Sequence, residues 1–153
     1  MSKSNPPSSA RSALSAQNAQ STPRTRNVIV DLNCQTLQQL QNLAEEHVIV
    51  IKFTAKWCGP CKKIAPYVEK CFLSMPENVI CAEIDVDESD ELYTFFQKKR
   101  MLSGIPTILA FYGDEPRLRF WIPDDSVVGA NRVEVKRFFD NCQEKAEELR
   151  PTK

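Results

Sequence analysis

The stretch Trp57-Cys58-Gly59-Pro60-Cys61 constrains this chain more than any other. Before it runs Val48-Ile49-Val50-Ile51-Lys52-Phe53, apolar and β-branched in the manner of a buried strand. After it runs Lys62-Lys63-Ile64-Ala65-Pro66-Tyr67-Val68-Glu69, which has a helical pattern. Two cysteines separated by two residues, where a strand becomes a helix, read as a redox dithiol. On the first turn of a helix, residues three apart share a side, so the two sulfurs can reach disulfide distance. Cys58 is expected at an exposed helix tip, where free N–H groups and the positive helix end favour an anion. Its thiol pKa falls and a thiolate becomes available. Gly59 permits a close approach of another chain. Pro60 suits a first helical turn, where its missing N–H is not needed.

A length of 153 residues suits one domain plus a tail. Twenty Lys and Arg balance twenty Asp and Glu, so net charge argues for neither nucleic acid nor an anionic membrane. No apolar run approaches the roughly 20 residues needed to span a bilayer. The first residues lack the apolar stretch of about 7–15 residues that marks a secretory signal. With 42% hydrophobic residues the chain can build a core without disulfide staples. Cys34, Cys71, Cys81 and Cys142 are therefore expected to be small buried or half-buried thiols, with extra regulatory disulfides as the alternative. Zinc is not expected: Cys58 and Cys61 lack two further clustered ligands, and His47 is the only histidine.

Composition divides the chain into a tail over residues 1–26, a domain over 27–149 and a short C-terminal tail over 150–153. The first segment is rich in Ser, Ala, Pro, Asn and Gln and cannot offset the entropy of ordering, so disorder is expected. It has no acidic residue and carries Lys3, Arg11, Arg24 and Arg26. That resembles a transit peptide, but Pro6-Pro7 and the scarcity of large apolar residues favour a plain solvated tail.

Within the domain, Asn27 to Leu32 reads as a short strand. A helix follows, with Thr36-Leu37-Gln38-Gln39 in capping-box form and Leu37, Leu40, Leu43 and Ala44 at helical spacing. His47 ends it as a surface residue. Val48 to Phe53 is the central strand, and Cys58 to about Ser74 the redox helix, kinked at Pro66. Val79 to Val86 is the next strand. Asp87-Glu88-Ser89 opens a helix to about Lys99 with Leu92, Phe95 and Phe96 facing inward. Gly104-Ile105-Pro106-Thr107 leads into the strand Thr107 to Tyr112. Gly113-Asp114-Glu115-Pro116 is a turn, Arg117 to Trp121 an antiparallel strand, and Ile122-Pro123-Asp124-Asp125-Ser126 a loop. Asn131, with Glu134 three residues on, caps a last helix to about Leu149. Strands alternating with helices, then a hairpin, predict a mixed α/β sheet with helices on both faces.

Over about residues 27–145 the chain resembles the thioredoxin family. The resemblance rests on Trp57-Cys58-Gly59-Pro60-Cys61-Lys62, Pro66, Gly104-Ile105-Pro106-Thr107 and Gly129. It implies an α/β thioredoxin fold, a central mixed five-stranded sheet flanked by four helices. It implies a cis Pro106 facing the cysteines, and Ile105 holding a client's extended segment by strand-like hydrogen bonds. Trp57, Gly59, Pro60, Ile105 and Pro106 become the substrate groove. The implied chemistry is thiol–disulfide exchange by Cys58 and Cys61 with no bound cofactor, the pair being recharged by an NADPH-dependent flavin thioredoxin reductase. Gly-Pro between the cysteines resembles the reducing members. A monomeric, cytoplasmic protein-disulfide reductase acting on client proteins is the expectation. A fold used as a binding or scaffold module, or a disulfide oxidase or isomerase, is the alternative.

Two departures stand out. The family places a buried Asp six residues before the first cysteine, and here that residue is Lys52. An unpaired buried ammonium is costly, so Lys52 must be paired, neutral or reaching water. Glu83 on the neighbouring strand is the expected partner, a reversed ion pair under the redox helix. Glu83 then deprotonates Cys61, or Lys52 stabilises a thiolate by its charge. Second, the stretch from Gly113 to Gly129 is longer than in compact thioredoxins and leads into Val127-Val128-Gly129 at the expected groove rim; a tolerated surface insertion is the expectation, and client selection the alternative. Lys56, Lys62 and Lys63 ring the motif with positive charge; solvated surface lysines are the expectation, and a preference for acidic clients is the alternative.

Overall fold

The structure, a computed structural model, describes residues 25–43 and 45–151. The tail expected over residues 1–26 lies outside the described residues save for Thr25 and Arg26. Ala44 and the last two residues also lie outside them. Eight elements follow: α1 (Cys34–Leu43), β1 (Val48–Thr54), α2 (Gly59–Ser74), β2 (Val79–Asp85), α3 (Glu91–Lys98), β3 (Thr107–Tyr112), β4 (Asp125–Val128) and α4 (Arg132–Leu149).

The sheet order is β2-β1-β3-β4. β1 pairs in parallel with β2 and antiparallel with β3, and β3 pairs antiparallel with β4. β1 is apolar on both faces because both are covered. Side chains alternate along it. Ile49, Ile51 and Phe53 pack with Leu37 of α1 and with Leu92 and Phe96 of α3. Val48 and Val50 pack with Ile64, Val68 and Phe72 of α2 and with Phe138 and Phe139 of α4. By the same alternation Lys52 points to the α2 side. Phe53, Phe96 and Phe138 are wholly buried, and each contributes roughly 1.5–3 kcal/mol from removal of its ring from water.

Helix starts follow local chemistry. The Thr36 N–H donates to Asn33 Oδ1 and the Asn33 N–H donates to Thr36 Oγ1, both at 2.9 Å. The reciprocal box thus closes one turn earlier than the reading from Thr36 to Gln39, because Asn33 is the better-placed acceptor. In α1, Leu37 is buried, Leu40 half-buried and Leu43 exposed. α4 starts as expected, with Asn131 Oδ1 accepting from the Glu134 N–H at 3.0 Å. Pro66 lies inside α2, which continues to Ser74.

The sheet has four strands among the described residues, not five. The expected strand Asn27 to Leu32 contracts to a single parallel bridge, Ile29 with Ala82. Its ends are held by other partners. Arg26 reaches the carbonyls of Met75 and Pro76, just past the end of α2, and of Val79, the first residue of β2, and Asn33 already belongs to the start of α1. Arg26, expected in the tail, is thus part of the folded body. The second correction concerns Arg117 to Trp121, which alternates like a strand but is not one. The Asp124 N–H donates to the Ala110 carbonyl at 2.8 Å, and Asp124 Oδ2 accepts from the Tyr112 N–H at 2.7 Å. Those bonds give the edge of β3 to Asp125–Val128, part of which was read as loop. Phe120 and Trp121 instead pack on Phe95 of α3.

Candidate active site

β1 and β3 both bring their Thr54/Thr107 ends to one edge of the sheet, and the redox turn leaves β1 there. Cys58 is the N-cap of α2, with extended backbone at φ −85° and ψ 112°. Its Sγ accepts from the Cys61 N–H at 3.2 Å. Sulfur here occupies the position that a Ser or Asp oxygen takes in ordinary caps. Cys58 and Cys61 are joined as a disulfide, their Cα atoms 5.2 Å apart. Once reduced, a Cys58 thiolate would carry its charge against that N–H and the positive helix end.

The sulfurs form a floor rather than an exposed tip: Cys58 is 4% and Cys61 1% exposed, whereas Trp57 beside them is 68% exposed. Gly59 and Pro60 are also exposed. Trp57 Nε1 donates to Asp87 Oδ2 at 2.7 Å, which fixes the indole as a wall. Opposite it, the Ile105–Pro106 peptide is cis. Cys58 Sγ lies 3.9 Å from the Ile105 carbonyl oxygen. The Pro106 carbonyl accepts from the Gly129 N–H at 2.8 Å, and Gly129 has φ +91°, a conformation that favours glycine.

Behind the dithiol, Lys52 and Glu83 are register partners of β1 and β2. Lys52 Nζ stands 3.7 Å from Glu83 Oε1; the lysine side chain is 2% exposed, the glutamate 46%. Burial pushes the Lys52 ammonium below its ordinary value, while the charges of Glu83 and Glu69 oppose that. Lys52, Glu83 and Cys61 line one pocket of about 460 Å³, together with Lys62, Asp85 and Glu88.

The remaining cysteines contrast with this pair. Cys71, Cys81 and Cys142 are buried and Cys34 half-buried, and all four are free. Burial raises each thiol pKa, that of Cys81 to about 11. Such thiols are poor nucleophiles.

The family model described as Thioredoxin matches residues 28–135. The chain belongs to the thioredoxin family. Thioredoxin-1 of Saccharomyces cerevisiae is 34% identical over 95 residues, covering 62% of this chain and 81% of that protein. The X-ray structure of Fasciola hepatica thioredoxin superposes with a TM-score of 0.57 at 28% identity, covering 76% of this chain and 98% of that one. A Mycobacterium leprae protein described as a bifunctional thioredoxin reductase/thioredoxin is 34% identical over 74 residues, 48% of this chain and 15% of that protein.

As a member of this family with a joined Cys58–Cys61 pair, the protein is a thiol–disulfide oxidoreductase. Its thioredoxin fold gathers Trp57, Cys58, Gly59, Pro60, Cys61, Ile105 and Pro106 at one edge, and sets Lys52 and Glu83 behind Cys61. The connection between β3 and β4 lies away from the groove, as a surface insertion does. It leaves β3 beside His47, whose carbonyl accepts from the Gly113 N–H at 2.8 Å, and rejoins at Asp124. Both points lie at the sheet end remote from the dithiol, so residues 113–124 do not rim the groove. Val127 and Val128 reach it only because β4 runs back toward Thr107. Sequence reasoning missed Asp87, the acceptor for Trp57; its place just after β2, opposite the motif, was the available signal.

Proposed function

We propose that this protein is a protein-disulfide reductase that carries out thiol–disulfide exchange through Cys58 and Cys61. The observation that carries the reading is the placement of Cys58 Sγ, 3.2 Å from the Cys61 N–H and 3.9 Å from the Ile105 carbonyl. An activated sulfur lies beside a backbone acceptor that can hold an extended client. The Cys58 thiolate attacks one sulfur of the client disulfide. A Cys58–client bond forms, the client bond breaks, and the first client thiolate leaves. Cys61 loses its proton and attacks Cys58 Sγ. The protein disulfide forms and the second client thiolate leaves. The client gains two electrons and two protons; the dithiol is oxidised by the same amount. Trp57, Gly59 and Pro60 shape the groove, and Pro106 presents Ile105.

For the second step we assign Glu83 as the proton acceptor and Lys52 as the charge that supports the Cys61 thiolate. Both line the pocket that Cys61 closes. A Glu83→Gln variant is expected to form mixed disulfides at the normal rate and resolve them slowly. An unchanged resolution rate rejects the assignment. Recharging by an NADPH-dependent flavin thioredoxin reductase fits a family in which one relative carries both activities on one chain.

Insulin reduction with dithiothreitol tests the reading: turnover well above the reagent alone is expected, and none favours a scaffold. A second reading has one observation in its favour. A buried cation beside Cys61 stabilises the thiolate over the disulfide, which pushes the couple toward the oxidising, isomerase-like range. Titration of the Cys58–Cys61 couple against glutathione separates them; the reductase requires a potential well below that of the glutathione couple.

A further inference from the structure

We infer that the surface between α2 and α4, next to the dithiol, is a subsite for an acidic segment of the client polypeptide. The inference rests on the exchange reaction proposed above and adds the substrate class. A pocket of about 380 Å³ opens there, lined by Lys63, Tyr67, Lys70, Ala130 and Arg132 among others. The Arg132 guanidinium lies over the Tyr67 ring, 4.3 Å from its centroid, and is held at the pocket wall. Among the described residues, no carboxylate forms an ion pair with Lys63, Lys70 or Arg132. The nearby Asp140 is engaged by Lys136 at 2.8 Å. Three cations thus converge on one concavity without a carboxylate partner among the described residues.

The opposite flank of α2 is mixed in charge. Lys52, Lys56 and Lys62 line the pocket behind Cys61 together with Glu83, Asp85 and Glu88, and Asp87 binds the Trp57 indole. Lys56 on that side is taken by Glu88 at 3.1 Å. The apparent ring of lysines around the motif is therefore resolved into a compensated flank and an open one. An acidic client meets balancing carboxylates on the first and three cations without a carboxylate partner on the second, which sets its direction across the dithiol as well as its affinity.

The subsite is continuous with the groove. Ala130 follows Gly129, whose N–H is bound to the Pro106 carbonyl. Lys63 is five residues beyond Cys58, ~8 Å along the helix axis at the standard rise. An extended chain covers that in about two to three residues, and reaches the level of Lys70 in about five. The recognised carboxylates thus lie about two to five residues from the client cysteine that Cys58 attacks.

The test uses the oxidised full chain and two peptides in which serine replaces the target cysteine. One carries Asp and Glu at those positions, the other Asn and Gln. Binding is read from Trp57 fluorescence. The acidic peptide is expected to bind about tenfold more tightly at low ionic strength, with the advantage falling as salt rises. The triple variant Lys63→Gln/Lys70→Gln/Arg132→Gln alters exposed side chains only and is expected to lose the preference. Equal binding of the two peptides, or a preference that persists in the triple variant, overturns the subsite. Reduction of the uncharged bis(2-hydroxyethyl) disulfide is measured alongside. A wild-type chain that prefers the acidic peptide but reduces nothing keeps the subsite and loses the reductase reading. One that reduces the small disulfide without any peptide preference does the reverse.

Discussion

Two connections in this molecule are made in opposite ways. The turn from β1 into α2 is short and its conformation is set by its own residues: Cys58 caps the helix through sulfur, and Pro60 fits the first turn. The link from β3 to β4 spans residues 113–124 and is held both by its own residues and by side chains distant in sequence. Arg117 is tied to Asp124 and to the carbonyls of Ile122 and Tyr112. Phe120 stacks on Phe95 at 5.3 Å, and Lys99 Nζ sits 4.3 Å from the Trp121 ring centroid. One connection concentrates chemistry where backbone donors are free. The other converts a long excursion into packing. Substitutions in the first should therefore change reactivity with little change in stability, and substitutions in the second the reverse.

The strongest test of that division is Cys58→Ser. A hydroxyl can still cap α2, so thermal stability under reducing conditions should change little. Disulfide reduction should fall by about a thousandfold or more, ~4 kcal/mol of barrier, because no thiolate remains to attack. Stopped-flow turnover with parallel calorimetry checks both halves. A large loss of stability would show that the turn also supports the fold.

Next in size is Trp121→Ala, which removes a half-buried ring packed on Phe95, Phe120 and Lys99. A loss of about 3 kcal/mol by denaturant titration is expected, near the lower bound for large aromatic truncations. Turnover of the folded fraction should be unchanged. Reduced turnover at full folding would mean that this link communicates with the groove after all.

The same division explains what the sequence made legible. The dithiol and the helix that follows it were readable because each depends on neighbours within a few residues, whereas the cis Ile105–Pro106 turn followed from the family resemblance. The first turn of α2 at Pro60 and the cap of α4 were readable for the same local reason, and the central apolar strand through its composition. Arg117 to Trp121 misled because alternation is a local signal, whereas the edge of β3 is taken by Asp124, which no local pattern ranks above its neighbours. The strand Asn27 to Leu32 shrank for a similar reason. Arg26 ties its first end to carbonyls 50 and 53 residues along the chain, and Asn33, next to its last residue, is taken by the start of α1. Lys52 and Glu83 lay between these cases: the oddity of a lone charge in an apolar strand was plain, and the partner followed from strand order.

Asp124→Ala probes the tertiary connection at one residue. Arg117 and Asp124 are 15% and 21% exposed at the side chain, so this ion pair is largely withdrawn from water. The variant leaves Arg117 without its counter-charge and frees the Tyr112 N–H. A loss of about 2 kcal/mol is expected, less than for a fully buried pair and more than for a surface one. Asp124→Asn should recover part of it, because the amide oxygen can still accept from Tyr112. If both variants lose the same amount, the charge carries the stabilisation rather than the backbone bond.

Lys52→Met should give the smallest change and the opposite sign. The ammonium is buried against α2 with an exposed carboxylate as its partner, so its desolvation is only partly offset. Methionine fills similar volume without that cost, and Glu83 remains near water. A gain of about 1 kcal/mol at neutral pH is expected from denaturant titration. The pH dependence carries the sign. Because the folded-state pKa lies below the ordinary 10.5, the folded protein binds fewer protons than the unfolded chain between those two values. Stability of the wild type from this group should therefore rise as pH climbs through the depressed pKa and level off above 10.5. The gap to Lys52→Met should narrow over that interval. A gap that stays constant with pH would mean the gain comes from packing alone. A Lys52→Met protein that is less stable at neutral pH would mean that the pair with Glu83 outweighs the burial. In that case the redox turn, like the longer connection, would owe part of its stability to a distant charge.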